Sequence, residues 1–120
     1  MSIQFQIDEK PGYLKARFIG TGAPEEIERQ FKSLAEKCKS SKKNKVLLDF
    51  TEVPSHISLV DSYELGKRTL VFAQYKCKVS AVCKPERHDT QYFLETVAKN
   101  RWVELRVFTN VEDAIEWLLT

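Results

Sequence analysis

Apolar and polar positions alternate strictly at the start of the chain, with Ile3, Phe5 and Ile7 set against Gln4, Gln6 and Asp8. A period of two is the signature of a strand with one face buried. Lys10-Pro11-Gly12 supplies turn chemistry, and Tyr13 to Ile19 reads as a second strand, so residues 3–19 predict an antiparallel hairpin. The pattern then changes. Pro24 suits a first helical turn, and Ile27, Phe31, Leu34, Ala35 and Cys38 recur on one face at helical spacing. Val46-Leu47-Leu48 is a short unbroken apolar run, as expected of a strand covered on both faces.

The second half repeats this alternation of element types. A helix is predicted from about Ser58 to Ala73, with Leu59, Tyr63, Gly66, Leu70 and Ala73 along one stripe. Lys78 to Cys83 reads as a strand, and Thr90 to about Arg101 as a helix with Leu94, Val97 and Ala98 inward. Glu104 to Phe108 is the last strand. A final helix follows, capped by Asn110 and buried through Val111, Ala114, Ile115 and Leu118. The order ββαβαβαβα predicts an α/β domain: one mixed sheet of about five strands, the later ones parallel, flanked by four helices. With 120 residues and no internal repeat or linker, a single domain over residues 1–120 is expected.

Composition narrows the function classes. A net charge of +2 gives no global field for nucleic acid or an anionic membrane. No apolar run is long enough to span a bilayer, and MSIQFQIDEK has no signal-peptide pattern, so a cytoplasmic location is expected. Three cysteines without a CxxC spacing fit free thiols in a reducing compartment. Cys38 and Cys77 read as small core residues, whereas Cys83 ends its strand beside Lys84, a setting that could favour a thiolate. No motif calls for a cofactor, and the spacing of His56 and His88 supplies no metal-ligand set.

Two features resemble binding motifs and have plainer explanations. Gly20-Thr21-Gly22 joins a strand to a helix but lacks the third glycine of a dinucleotide loop. Glu25 and Glu26, in the first helical turn, would repel a phosphate there. Residues 37–45 (KCKSSKKNK) hold five lysines without an interleaved aromatic, and they read as a solvated helix C-terminus and loop.

Sites in open α/β sheets gather where parallel strands end. That rim is predicted to collect Asp49, Thr51, Glu52 and His56 from one loop. Cys83, Lys84, Glu86, Arg87 and His88 come from the next, and Thr109 and Asn110 from the last. The set contains no paired carboxylates and no Ser-His-Asp arrangement that would define a reaction, so an enzyme is not expected. Trp102 follows a helix end at Asn100, a residue that tolerates the left-handed conformation expected there; a large aromatic in that loop is a candidate contact residue. Trp117 lies off the main stripe of the last helix and raises the same question.

Several stretches together resemble a known family. Val46-Leu47-Leu48-Asp49, Tyr63-Glu64-Leu65-Gly66, Val97-Ala98-Lys99-Asn100-Arg101 and the run Arg106 to Leu118 are similar to the STAS-like, SpoIIAA-like group of small bacterial domains, related in fold to anti-sigma-factor antagonists. The resemblance implies docking to a protein partner, switched by phosphorylation of a serine at a helix start. The nearest match is Asp61-Ser62-Tyr63-Glu64, which lacks the second serine and the glycine of that motif; Ser58 and Ser62 are the candidate switch residues. Where the group commonly has glycine after the Asn-Arg pair, this chain has Trp102.

The leading expectation is therefore a non-enzymatic regulatory or interaction module with an unidentified protein partner. An exposed edge strand or Trp102 would also allow a homodimer. The alternative is a domain binding a small or lipid-like molecule at the strand ends, through Asp49, His56, Cys83 or His88. A thiol-based activity would rest on Cys83 alone.

Overall fold

The computed structural model describes residues 4–20, 23–53, 64, 66–85 and 95–120. Five strands form one sheet in chain order: β1 (Gln4–Lys10), β2 (Tyr13–Ile19), β3 (Lys45–Glu52), β4 (Lys78–Val82) and β5 (Glu104–Phe108). β1 and β2 are the predicted antiparallel hairpin, and every later pair is parallel. The helices are α1 (Pro24–Ser41), α2 (Leu70–Gln74), α3, of which residues 95–99 are described, and α4 (Val111–Leu118). The mixed five-stranded α/β sheet with four helices expected from the pattern is thus present.

The alternation of β3 explains the layering. Val46, Leu48 and Phe50 enter the larger core with α1 and the α2 residue Phe72, while Leu47 enters a smaller core with Tyr13, Val82, Ala114 and Leu118 of α4. A strand buried on both faces must be apolar throughout, which is what the unbroken Val-Leu-Leu run encodes. Aromatic rings bind the larger core across elements. Phe18 stacks on Phe50 with centroids 4.9 Å apart, and it meets Phe31 edge-on at 6.0 Å. Phe31 in turn lies 5.2 Å from Phe72. Such pairs contribute on the order of 1 kcal/mol each beyond area burial.

Two local features close the structure. Gly12 adopts φ +86 in the hairpin turn, a conformation open to glycine, and a Cβ there would stand 3.2 Å from Leu119. On the open edge, the Val107 N–H of β5 donates to the Glu95 carboxylate of α3 at 2.8 Å. A side chain from a neighbouring helix thereby satisfies a donor that another strand could have captured.

The stripe predicted for the second helix needs correction. Helical geometry is interrupted at Thr69, whose hydroxyl donates to the Gly66 carbonyl at 2.6 Å. Gly66, Thr69 and Phe72 face the core, and Leu70 is 41% exposed instead of inward. A side-chain hydroxyl bonded to the preceding turn competes with the backbone ladder and resets which residues face in. Leu59 and Tyr63 of that stripe, and Leu94 of the third helix, lie outside the described residues.

α1 is anchored to the segment before α2 by Arg68, which reaches Glu28 at 3.0 Å, Glu25 at 3.5 Å and Glu64 at 3.7 Å. Glu25 therefore serves a tertiary contact as well as its helix terminus.

Candidate functional site

The strand-end rim assembles as the topology requires. Asp49 pairs in register with Val82, and Val82 with Phe108, so β4 and β5 end side by side at the level of Asp49, while β3 runs on past it to Glu52. Cys83 donates its backbone N–H to Phe108 at 3.0 Å. Asp49 is buried at 6% exposure, and its carboxylate accepts from the Thr51 N–H at 2.9 Å and the Thr51 hydroxyl at 2.6 Å. The loop expected to hold Asp49, Thr51 and Glu52 is corrected here, since all three belong to β3, and the visible role of Asp49 is to fix the end of that strand. Cys83 is 1% exposed within the larger core, so burial and not solvent access describes this thiol. His56, Ser58, Ser62 and His88 lie outside the described residues, as does the Ser58–Asp61 capping box.

Asn110 caps α4 as expected, accepting the Asp113 N–H at 3.1 Å. Trp117 is not a free contact residue. Its ring lies 5.9 Å from Phe108 and under the Lys78 ammonium at 4.4 Å, while its carbonyl accepts from that ammonium at 2.7 Å.

The opposite edge of the sheet holds what the sequence reading missed. Among the described residues, three other than glycine have positive φ: Lys42 at 60, Lys76 at 57 and Trp102 at 65. Each sits in the turn that leads from a helix into a parallel strand, before β3, β4 and β5 respectively. The expectation for Asn100 is thereby corrected: the described helix ends at 99, and the left-handed residue is Trp102 itself. The chain turns there through hydrogen bonds from the Arg101 and Val103 N–H groups to the Ala98 carbonyl, at 2.9 and 3.1 Å. This closure moves the left-handed position beyond Asn100. The Trp102 side chain is 92% exposed. Glycine is the usual residue for such a helix end, so a tryptophan there carries a backbone cost and gains nothing from burial.

Cys38 and Cys77, read separately from sequence, come into contact. They are 38 and 77 in the chain, and only the docking of α1 against the turn before β4 unites them. Their thiols are hydrogen-bonded. That bond and burial push the Cys38 thiol far up, and the same bond lowers Cys77 from its ordinary value against the opposing effect of burial. Both are free cysteines and both are buried.

Among the described residues, no group of three or more His, Cys, Asp or Glu is placed to hold a metal ion. No described helix is long and apolar enough to cross a membrane.

The architecture matches two solved structures along almost its entire length. An uncharacterized protein of the DUF3478 family with a SpoIIAA-like fold, from Shewanella loihica, superposes with a TM-score of 0.61 at 21% identity, covering 98% of this chain and 94% of that one. The chain has a SpoIIAA-like fold. An anti-sigma factor antagonist from Mycobacterium paratuberculosis gives a TM-score of 0.63 at 14% identity, with the same two coverages of 98% and 94%. No family model matches the sequence, and no curated protein does. The SpoIIAA-like resemblance expected from the motifs is borne out as a likeness of fold, and the single mixed sheet is its framework.

Proposed function

We propose that this domain acts by docking to a protein partner, as a non-enzymatic regulatory module, and that Trp102 belongs to the contact surface. The observation that carries this reading is Trp102: a fully presented indole held in left-handed backbone at a helix-to-strand turn. A large aromatic retained in water against its backbone preference is a residue suited to burial by something else, and tryptophan is enriched among interface hot spots. The similarity to an anti-sigma factor antagonist supports docking as the mode of action. Phosphorylation of Ser58 or Ser62 is proposed as the switch, on the Asp61-Ser62 motif, because a dianion at a helix start alters both the helix terminus and any surface beside it.

A photo-crosslinking residue at position 102, compared with one at the exposed Glu104, tests the contact in native lysate. The expected result is one protein captured from position 102, absent from the control, and still captured in the presence of unlabelled Trp102→Gly protein at the dose used for wild-type competitor. Wild-type competitor should displace it. Equal competition by the two proteins would remove Trp102 from the surface, and steady turnover of a substrate by the isolated protein would overturn the non-enzymatic reading. Mass spectrometry of the recovered protein reports phosphate on Ser58 or Ser62.

A further inference from the structure

A groove of ≈ 480 Å³ opens at the edge of the sheet where the parallel strands begin, lined by Cys38, Lys39, Lys42, Lys43, Asn44, Gln74, Tyr75 and Lys76. Four of those side chains are lysines and none is a carboxylate. Lys43 is already engaged: its ammonium donates to the Lys10 carbonyl at 2.7 Å and pairs with Glu9 at 3.2 Å. Lys39, Lys42 and Lys76 have no anionic partner among the described residues. We propose that this groove binds a multiply charged phosphate group, with Lys39, Lys42 and Lys76 as its cationic ligands and Tyr75 as a wall for the organic part of a phosphate ester.

Two independent observations carry the proposal. The first is the uncompensated charge in a concave site. Like charges gathered in one groove without a counter-ion repel one another, and an anion between them relieves that repulsion. The C-terminus of α1 ends here at Lys42 and contributes roughly half a negative charge, which fewer than three ammonium groups would offset. Two of its last carbonyls, on Cys38 and Lys39, are also occupied by the N–H groups of Lys43 and Lys42.

The second observation is the backbone. Lys42 and Lys76 are the left-handed residues ending two successive helical segments, and they flank the same groove. A helix end needing positive φ is most easily served by glycine. A helix C-terminus favours a cation at each position, and a requirement for charge explains why both keep lysine where glycine would suit the backbone better. The ligand class follows from the residue type. Ammonium groups act as compact point charges for phosphate oxygens, and several of them around one groove match the multiple charge of a phosphate group better than the single charge of a carboxylate. The sequence held the five lysines of residues 37–45, but Tyr75 and Lys76 join them only through the packing of α1 beside α2.

Calorimetric titration of the full chain at low salt tests this with two probes, inorganic pyrophosphate and ATP. Saturable binding at one site per chain is expected. In Lys42→Gly/Lys76→Gly, affinity should fall at least tenfold while the protein melts no lower than wild type, because glycine suits both backbone positions. Lys32→Gln/Lys99→Gln removes the same charge elsewhere and should leave affinity within about twofold, after the general screening expected of distant charges. Tighter binding of ATP than of pyrophosphate would identify an ester with an organic moiety, and equal binding would show that the phosphates suffice. Absence of saturable binding by both probes, or an equal loss in the two double variants, would overturn the proposal.

Discussion

The Lys78 ammonium donates to the Trp117 carbonyl at 2.7 Å while lying 4.4 Å from the centre of the Trp117 ring. One side chain of β4 thus closes the C-terminus of α4, with a second, longer bond to the Thr120 carbonyl at 3.3 Å. A cation at a helix C-terminus, an aromatic face and a charged hydrogen bond act in the same direction. Lys78→Met, which keeps the stem and removes the charge, should cost about 1–2 kcal/mol in urea denaturation. An unchanged midpoint would show that the ammonium is not held over α4 in solution.

Asp49 is predicted to matter through the end of β3. Asp49→Ala removes the acceptor for two Thr51 donors and should destabilise by roughly 1–3 kcal/mol, measured by thermal unfolding. Asp49→Asn keeps an acceptor oxygen and should recover much of that loss. Equal effects of the two variants would mean that charge, and not hydrogen bonding, is what the position requires.

Ser80 offers a change of opposite sign. Its hydroxyl is fully buried on β4 with no hydrogen-bond partner among the described residues. Ser80→Ala relieves the desolvation of an unbonded hydroxyl at nearly constant volume, and should stabilise by about 1 kcal/mol in the same assay. A clear loss of stability would reveal a bond to the hydroxyl.

The contact between Cys38 and Cys77 predicts a titration. The hydrogen bond from Cys38 is the larger influence on Cys77 and lowers its pKa, while burial raises it. In Cys38→Ala only the raising influence remains. Thiolate absorbance followed against pH should therefore show Cys77 ionising at higher pH in the variant than in wild type, with Cys83 common to both. A titration that stays in place or moves down would show that the two thiols do not share a proton.

Trp102→Gly separates backbone cost from function. Glycine adopts φ 65 freely, so the variant should be more stable by about 1 kcal/mol in chemical denaturation while losing the crosslinked partner. Destabilisation would show that the indole packs on the domain after all.

Much of the fold was readable from residue order because its signals are local. Strand alternation, the helical spacing of Ile27 to Cys38, the unbroken run at Val46 and the cap at Asn110 each report on neighbours a few residues away. The stripe drawn through Leu70 failed for the same reason in reverse: the hydroxyl bond of Thr69 interrupts the helix, and periodicity alone does not contain it. The candidate site was legible in part. Asp49 and Cys83 lie toward the same end of neighbouring strands, but β3 runs on past Asp49 to Glu52, and burial turned both side chains inward.

By itself, the sequence determined the element order, the two-sided core around β3 and the kind of sheet these elements build, since hydrophobic periodicity and turn chemistry act over short separations. Tertiary structure alone decided that Cys38 meets Cys77, that Lys42 and Lys76 flank one groove, and that Trp102 takes the left-handed turn into β5. Residues more than thirty apart become neighbours only when helices dock on a parallel sheet, where strand register and helix packing, not sequence spacing, set the distances.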